Sequence, residues 1–423
     1  MQQIVPVITT ILLLFSGGLL VSLTPGEDLM SMLPYMIIVA AVPKILYDLA
    51  IKPADSGFPL SLFLLAFAVK MLGSVSRLWM LVDVYERGDS MRYHQDGEYW
   101  ATFFRQFDFS VVGDTVSRGT EAMSYLTALL YTIFPPSLQG SFLLFAALAF
   151  IGSAFFYKAH RVAYPEISPK FYRALVFFLP SILFWPSSLG KDAWIFFASG
   201  FVAYGLAKFI RHRDLAGVLW LIFGMLLVGL IRPPVAAFMV LSLVLAYLVF
   251  FLRNTHSPRQ ILAPLIGGIV LVGLGIYVFQ TSLEFMMTKK GLAGASWDAM
   301  EQYFYARQQT HYGGGSGYAP NMVLGIAGFI PAILAILMRP FIWEAHNPQA
   351  LMSALESILW AGILWHQRKI FWQRLRNLTA DPLVSFALVY SIVMILSIAT
   401  LGNLGLIARQ RVQLLPFFFF LFA

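Results

Sequence analysis

Long apolar runs recur from one end of this 423-residue chain to the other. Many of them approach the roughly 20 residues that an α-helix needs to cross a hydrocarbon core about 30 Å thick. Charged residues make up only 12% of the chain, which is about half of their share in a typical soluble domain. This number of charged residues is too small to cover a water-facing surface. The sequence therefore excludes a soluble globular fold and predicts an integral membrane protein.

The apolar runs predict an all-α, polytopic transmembrane bundle of about 11–13 spans, with residues 1–423 forming a single membrane domain. The candidate spans are residues 4–23, 31–50, 59–82, 139–158, 171–187, 190–209, 215–231, 235–252, 261–280, 321–338, 350–366, 383–402 and 405–423. The first run has no basic residue before it and no small-residue cleavage pattern after it, so we interpret it as a retained helix. The absence of cysteine excludes disulfides and thiolate metal sites.

Basic clusters between the runs, near residues 158–173, 208–213, 253–259 and 368–376, predict the cytoplasmic side of the membrane. The net charge of +8 is therefore interpreted as a topology signal and not as a nucleic-acid site. Loops 83–138 and 281–320 then lie outside, with Glu121 to Phe134 as an interfacial helix in the first loop. If the run 321–338 crossed the membrane, the basic cluster at 368–376 would lie on the external side, against the rule that assigns it to the cytoplasm. Either this run is re-entrant, which we favour, or one boundary is wrong.

The first external loop places Arg92, His94, Asp96 and Glu98 directly after a predicted span. Asp96 or Glu98 is a candidate general base for an acceptor hydroxyl, with Arg92 and His94 beside the substrate. In an extended segment His94, Asp96 and Glu98 would share one face and hold a divalent cation. The alternative is that all four are solvated loop residues.

A Pro/Ser/Gly break separates two apolar runs immediately before Lys191. Such a break leaves backbone N–H groups at the start of the next helix, where they favour an anion, and Lys191 adds a full positive charge. The pattern predicts a phosphate-binding turn. The alternative is a plain helical hairpin whose Lys191 extends to the membrane surface.

Four arginines, Arg232, Arg339, Arg409 and Arg411, lie beside span ends on the predicted external side. External basic residues oppose the orientation rule, so another role is expected for them. Guanidinium groups pair bidentately with phosphate oxygens, which favours anion binding. The alternative is contact with lipid headgroups or with a local carboxylate such as Glu344.

The second external loop carries Tyr312 and Tyr318 around a glycine run. The glycines lack the spacing of a P-loop, and the loop is interpreted as a lid that presents tyrosine rings and hydroxyls to a substrate, or else as a disordered segment. Within the spans, the i, i+4 spacing of Lys44 and Asp48 predicts an ion pair. Lys70 also lies within a predicted span.

Four short motifs are shared with a known group of membrane enzymes. They are Arg92…Asp96…Tyr99, Gly119-Thr-Glu-x3-Tyr125-x5-Tyr131-x2-Phe134, Leu179-Pro-Ser-x-Leu-Phe-Trp-Pro-Ser-Ser-x-Gly-Lys191-Asp192 and Arg409-Gln-Arg411-x4-Pro416. In these motifs the chain resembles bacterial polytopic glycosyltransferases of the GT-C superfold and the related Wzy- and EpsG-like polysaccharide polymerases. It departs from them in lacking adjacent paired aspartates in the first loop and a soluble domain.

The resemblance implies transfer of a sugar or a sugar repeat unit from a polyprenyl-(di)phosphate-linked donor to a glycan acceptor. It implies a multi-pass protein of the bacterial cytoplasmic membrane, with Asp96 as the base and with Lys191 and the external arginines on the lipid phosphate. No cofactor is assigned, and a divalent cation is left open. The alternatives are a transporter or flippase for a lipid-linked glycan, and a non-catalytic membrane scaffold.

Overall fold

The computed structural model describes residues 4–22, 29–85, 88–115, 119–254, 333–345, 347–399, 401 and 403–422, with the isolated positions 273, 277 and 280. These residues are almost entirely helical and contain no β-strand, which confirms the all-α expectation for this part of the chain. Contacts divide the chain into two compact units, Met1–Arg232 and Pro233–Ala423. The single membrane domain stays a prediction.

Within the described residues, four helices are long and apolar enough to cross a membrane, namely Leu29–Ala54, Leu60–Tyr85, Leu138–Ala163 and Lys191–His212. Shorter apolar helices occur at Val7–Leu20, Leu215–Ile231, Pro233–Val249 and Pro382–Ile398. These helices indicate an integral membrane protein. The total of 11–13 spans stays a prediction, because most of the runs at 261–280 and 321–338 falls outside the described residues.

The first unit contains ten α-helices longer than four residues in its described part. They are α1 (Ile4–Ser22), α2 (Leu29–Leu46), α3 (Leu60–Trp79), α4 (Asp89–Phe104), α5 (Thr120–Ile133), α6 (Leu138–Ala163), α7 (Lys170–Phe178), α8 (Pro180–Phe184), α9 (Lys191–His212) and α10 (Leu215–Ile231). Helix α9 packs along α6 and α10, α1 packs along α3, and α4 packs along α5.

Aromatic side chains fill the core of the first unit where α3 and α6 meet. The ring centroids of Phe63 and Phe150 are 4.9 Å apart, and those of Phe58 and Tyr157 are 5.3 Å apart. The Tyr157 hydroxyl donates to the Asp55 carboxylate. These contacts place the connection between α2 and α3 beside the C-terminal end of α6.

The run expected to form one span at 171–187 instead forms two short helices, α7 and α8. Leu179 between them is extended, with φ −66° and ψ 128°. Proline at position 180 disfavours the helical conformation of the residue before it and supplies no N–H for a helical hydrogen bond. A continuous helix across this run was therefore a wrong expectation.

The second unit contains α11 (Pro233–Asn254), α12 (Pro348–His366), α13 (Arg368–Arg376), α14 (Pro382–Ile398), α15 (Leu404–Arg411) and α16 (Leu415–Phe418) among its described residues. Helix α11 packs along α14. The final apolar run, expected as one span at 405–423, bends by 58° between Leu404–Arg411 and Leu415–Leu421. Pro416 lies at the start of the second piece, where a helix tolerates proline.

Candidate functional site

The first long polar segment folds as a helical hairpin of α4 against α5. A Cβ added at Gly97 of α4 would lie 2.6 Å from Thr127 Cγ2 of α5, so the close approach of the two helices depends on glycine. Because the segment is helical and not extended, Asp96 lies on a different face from His94 and Glu98. The expectation that these three side chains share one face is therefore wrong.

Asp96 lies on the face of α4 that meets α5. Its carboxylate accepts a hydrogen bond of 2.7 Å from Ser124 Oγ, and Arg92 Nε lies 3.4 Å away from the same oxygen. The Asp96 side chain remains 32% exposed and that of Arg92 60% exposed. The carboxylate is thus held by two donors while it still reaches solvent.

The turn before α9 docks on this hairpin. Lys191 Nζ donates to Thr120 Oγ1 at 2.7 Å and lies 5.9 Å from the centroid of the Tyr93 ring. Ser90 Oγ donates to the backbone oxygen of Leu189 at 2.6 Å. The loop and the turn that the sequence singled out separately are therefore in direct contact within the first unit.

Asp96 and Lys191 are anchored one helical turn apart on α5. Their partners, Ser124 and Thr120, are four residues apart, which corresponds to about 6 Å along a helix axis. Sequence reasoning did not assign a role to either hydroxyl. The available signal was the i, i+4 spacing of two hydroxyl residues at the start of a short amphipathic helix.

The turn is buried, and side chains of α3 hold it in place. Lys70, which is only 1% exposed, donates to the backbone oxygens of Ile182 at 2.8 Å and Pro186 at 3.0 Å. The Arg77 guanidinium lies 5.1 Å from the centroid of the Trp185 ring. The proline break leaves carbonyls without helical donors, and Lys70 satisfies two of them.

Arg232 lies beside the same turn. Its Nη2 is 3.2 Å from Asp192 Oδ1, and the Asp192 side chain is only 6% exposed. Trp194 Nε1 donates to the backbone oxygen of Leu227 at 2.9 Å, which further ties the end of α10 to the start of α9. A second cation is thereby fixed next to Lys191.

The remaining candidates of the first loop occupy different surroundings. His94 Nδ1 lies 2.8 Å from the Tyr131 hydroxyl, which also contacts Ser141 Oγ at 2.9 Å. Glu98 is exposed. The packing of His94 against Tyr131 accounts for its position, while its role as a phosphate ligand stays a prediction.

Tyr312 and Tyr318 lie outside the described residues. Among the residues that are described, no group of three or more His, Asp or Glu side chains is placed to hold a metal ion. A role for a divalent cation therefore stays an open prediction.

The arginines of the second unit make contacts within that unit. Arg339 pairs with Glu344, the local partner considered above. The guanidinium of Arg411 is fully buried, donates to the backbone oxygen of Leu337 at 3.0 Å and lies 3.5 Å from Glu356. Arg409 is partly buried. These contacts explain the positions of Arg339 and Arg411 without a ligand, and phosphate binding by the three arginines stays a prediction.

No protein-family model, no curated protein and no solved structure matches this chain.

Proposed function

We propose that the protein is a membrane glycosyltransferase that moves a sugar or a sugar repeat unit from a polyprenyl-(di)phosphate-linked donor to a glycan acceptor. The observation that carries the proposal is the anchoring of the Asp96 carboxylate and the Lys191 ammonium on adjacent turns of α5. Glycosyl transfer needs a base for the acceptor and a cation for the leaving phosphate within one sugar's reach of each other.

In the proposed reaction an acceptor hydroxyl oxygen attacks the anomeric carbon of the donor sugar, and the bond from that carbon to the phosphate oxygen breaks. Asp96 takes the proton of the attacking hydroxyl. Lys191 and Arg232 stabilise the negative charge that grows on the leaving phosphate. Such a single displacement inverts the configuration of the sugar.

The surroundings of these groups support this division of roles. Arg92 and Ser124 donate toward Asp96 and so fix the orientation of the carboxylate before an acceptor arrives. Asp192 holds Arg232 beside the turn, so that the guanidinium is positioned before a substrate arrives. The site would face the outside of the bacterial cytoplasmic membrane, where polysaccharide assembly takes place.

The direct test replaces Asp96 by Asn, which keeps an acceptor for Ser124 and removes the base. Glycan assembly by cells that carry only this variant should fall by about 10²–10⁴-fold, the usual contribution of a general base. Asp108→Asn is the matched control, because Asp108 lies on the same hairpin, is exposed and binds Ser110. Glu98→Gln removes the other candidate base and shows which of the two carboxylates is required.

Lipid-linked intermediates in the Asp96→Asn cells identify the reaction. Accumulated complete repeat units indicate a polymerase, and a repeat unit that lacks one sugar indicates a single-sugar transferase. Normal glycan production with normal protein levels would remove Asp96 as the base. Intermediates trapped on the cytoplasmic side would favour a flippase.

A further inference from the structure

A cavity of about 630 Å³ lies among α1, α2 and α3 of the first unit. All three helices are candidate spans or shorter apolar helices, so the cavity lies at membrane depth. Its wall along α3 extends over the twelve residues from Leu60 to Met71, a rise of about 16 Å. That length is about half of a ~30 Å hydrocarbon core and so matches the depth of one leaflet.

The cavity lining is mainly apolar, and most of its hydroxyl groups lie toward one end, with Ser16 as the exception. Thr9 and Ser61 line the end beside the starts of α1 and α3. Leu20, Phe67 and Met71 line the opposite end. An apolar space offers water too few partners and takes up hydrocarbon instead. The lining thus has the polarity of a lipid, with its headgroup at the Thr9 end.

A cation stands where that headgroup would lie. Lys44 is one turn beyond Ala40 on the same face of α2, and Ala40 lines the cavity. Lys44 pairs with Asp48, as their spacing predicted, and its side chain remains 62% exposed. An exposed ammonium at this level complements a phosphate group.

The polar end belongs to the basic side of the first unit. Asp55, in the connection between α2 and α3, accepts a hydrogen bond from Tyr157 near the end of α6. Lys158 and Arg161, on the last turns of α6, belong to a basic cluster that predicts the cytoplasmic face. The cytoplasmic leaflet is the one rich in anionic lipids.

We propose that this cavity binds one acyl chain of an anionic phospholipid of the cytoplasmic leaflet, with the phosphate at Lys44. Helix α1 packs along α3, and the lipid fills the space between α1 and α2. This site is separate from the Asp96 and Lys191 site, because neither residue lines the cavity. The proposal does not depend on the enzymatic function.

Two glycines of α1 provide a matched test. A Cβ added at Gly17, which lines the cavity, or at Gly18, which does not, meets no atom within 4 Å. The backbone thus leaves room for a side chain at both positions, so Gly17→Phe should fill the cavity and Gly18→Phe should leave it open. Ala40→Leu fills it from the opposite wall and serves if Gly17→Phe does not fold.

The experiment incorporates the full chain into nanodiscs of mixed phosphatidylglycerol and phosphatidylethanolamine, releases it and counts retained phospholipids by native mass spectrometry. Wild type and Gly18→Phe should retain one phospholipid that Gly17→Phe and Ala40→Leu lose. Lys44→Gln should lose the preference for phosphatidylglycerol.

Three outcomes would overturn the proposal. In the first, wild type, Gly17→Phe and Ala40→Leu retain the same number of phospholipids. In the second, Gly18→Phe loses the phospholipid as Gly17→Phe does. In the third, protein purified from cells carries only an isoprenoid phosphate. None of these readouts measures glycan transfer, so failure here leaves the proposed function untouched.

Discussion

Replacing Gly73 by Ala should displace the turn that carries Lys191. A Cβ at position 73 would lie 2.2 Å from the backbone oxygen of Leu183, about 1.2 Å short of ordinary contact, which begins at 3.4 Å. A backbone carbonyl cannot rotate away as a side chain can, so α3 and α8 must separate by about 1 Å. The same movement lengthens and weakens the bonds from Lys70 to Ile182 and Pro186.

The magnitude follows from three contributions. Overpacking costs about 2 kcal/mol, and the weakening of two bonds to a charged donor costs about 2 kcal/mol more. The higher helix propensity of alanine relative to glycine offsets about 1 kcal/mol of this loss. The net loss in the free energy of unfolding is therefore about 3 kcal/mol. A shift of about 1 Å in a positioned cation also lowers activity by roughly 10²-fold.

Thermal unfolding of the purified protein in one detergent measures the stability effect. Gly18→Ala is the matched control, because its added methyl group meets no atom within 4 Å. Gly73→Ala should unfold several degrees below both wild type and Gly18→Ala. Equal unfolding temperatures for all three proteins would refute the argument that Lys70 and Gly73 brace the turn.

Three further predictions concern single contacts. Lys191→Gln should lower kcat for sugar transfer from a polyprenyl-linked donor by about 10²-fold or more. Thr120→Val removes only the anchor of the Lys191 ammonium and should lower kcat less; an equal loss in both variants would contradict Lys191 as the group that meets the phosphate. Asn403→Ala removes the N-cap of α15 and should lower stability by about 1 kcal/mol, measured by thermal unfolding; no change would show that the cap contributes nothing. The backbone N–H of Gly217 donates to Asp214 and holds the pKa of that carboxyl below its ordinary value. The contribution of this bond to stability is therefore present above the unfolded pKa and is lost as the pH falls through the lower folded pKa. Unfolding temperatures of wild type and Asp214→Asn should converge as the pH is lowered below about 4, the ordinary pKa of Asp, and a constant difference would contradict this.

Sequence reasoning located the segments of the candidate site but not their contacts. The polar loop and the Pro/Ser/Gly break were recognisable because charges and helix breakers interrupt apolar runs. The partners Thr120 and Ser124 were not, because hydroxyl residues tolerate both membrane and water and leave no strong pattern. Helical pairing of α4 with α5 through Gly97 is a long-range packing effect that no local periodicity encodes.

The intramembrane cations illustrate the same limit. The i, i+4 spacing of Lys44 and Asp48 was sufficient to predict their ion pair. The partners of Lys70 are the backbone oxygens of Ile182 and Pro186, more than a hundred residues away. Such partners carry no residue-type signal, so only the folded chain reveals them.

The central claim is that the first-loop hairpin and the Lys191 turn meet at the external face of the membrane. The chain has no cysteine, so single-cysteine variants report one position each. A membrane-impermeant thiol reagent applied to intact cells should label Glu98→Cys and Lys191→Cys, and should label Arg211→Cys only after permeabilisation. Labelling of positions 98 and 191 from opposite sides of the membrane would contradict the account.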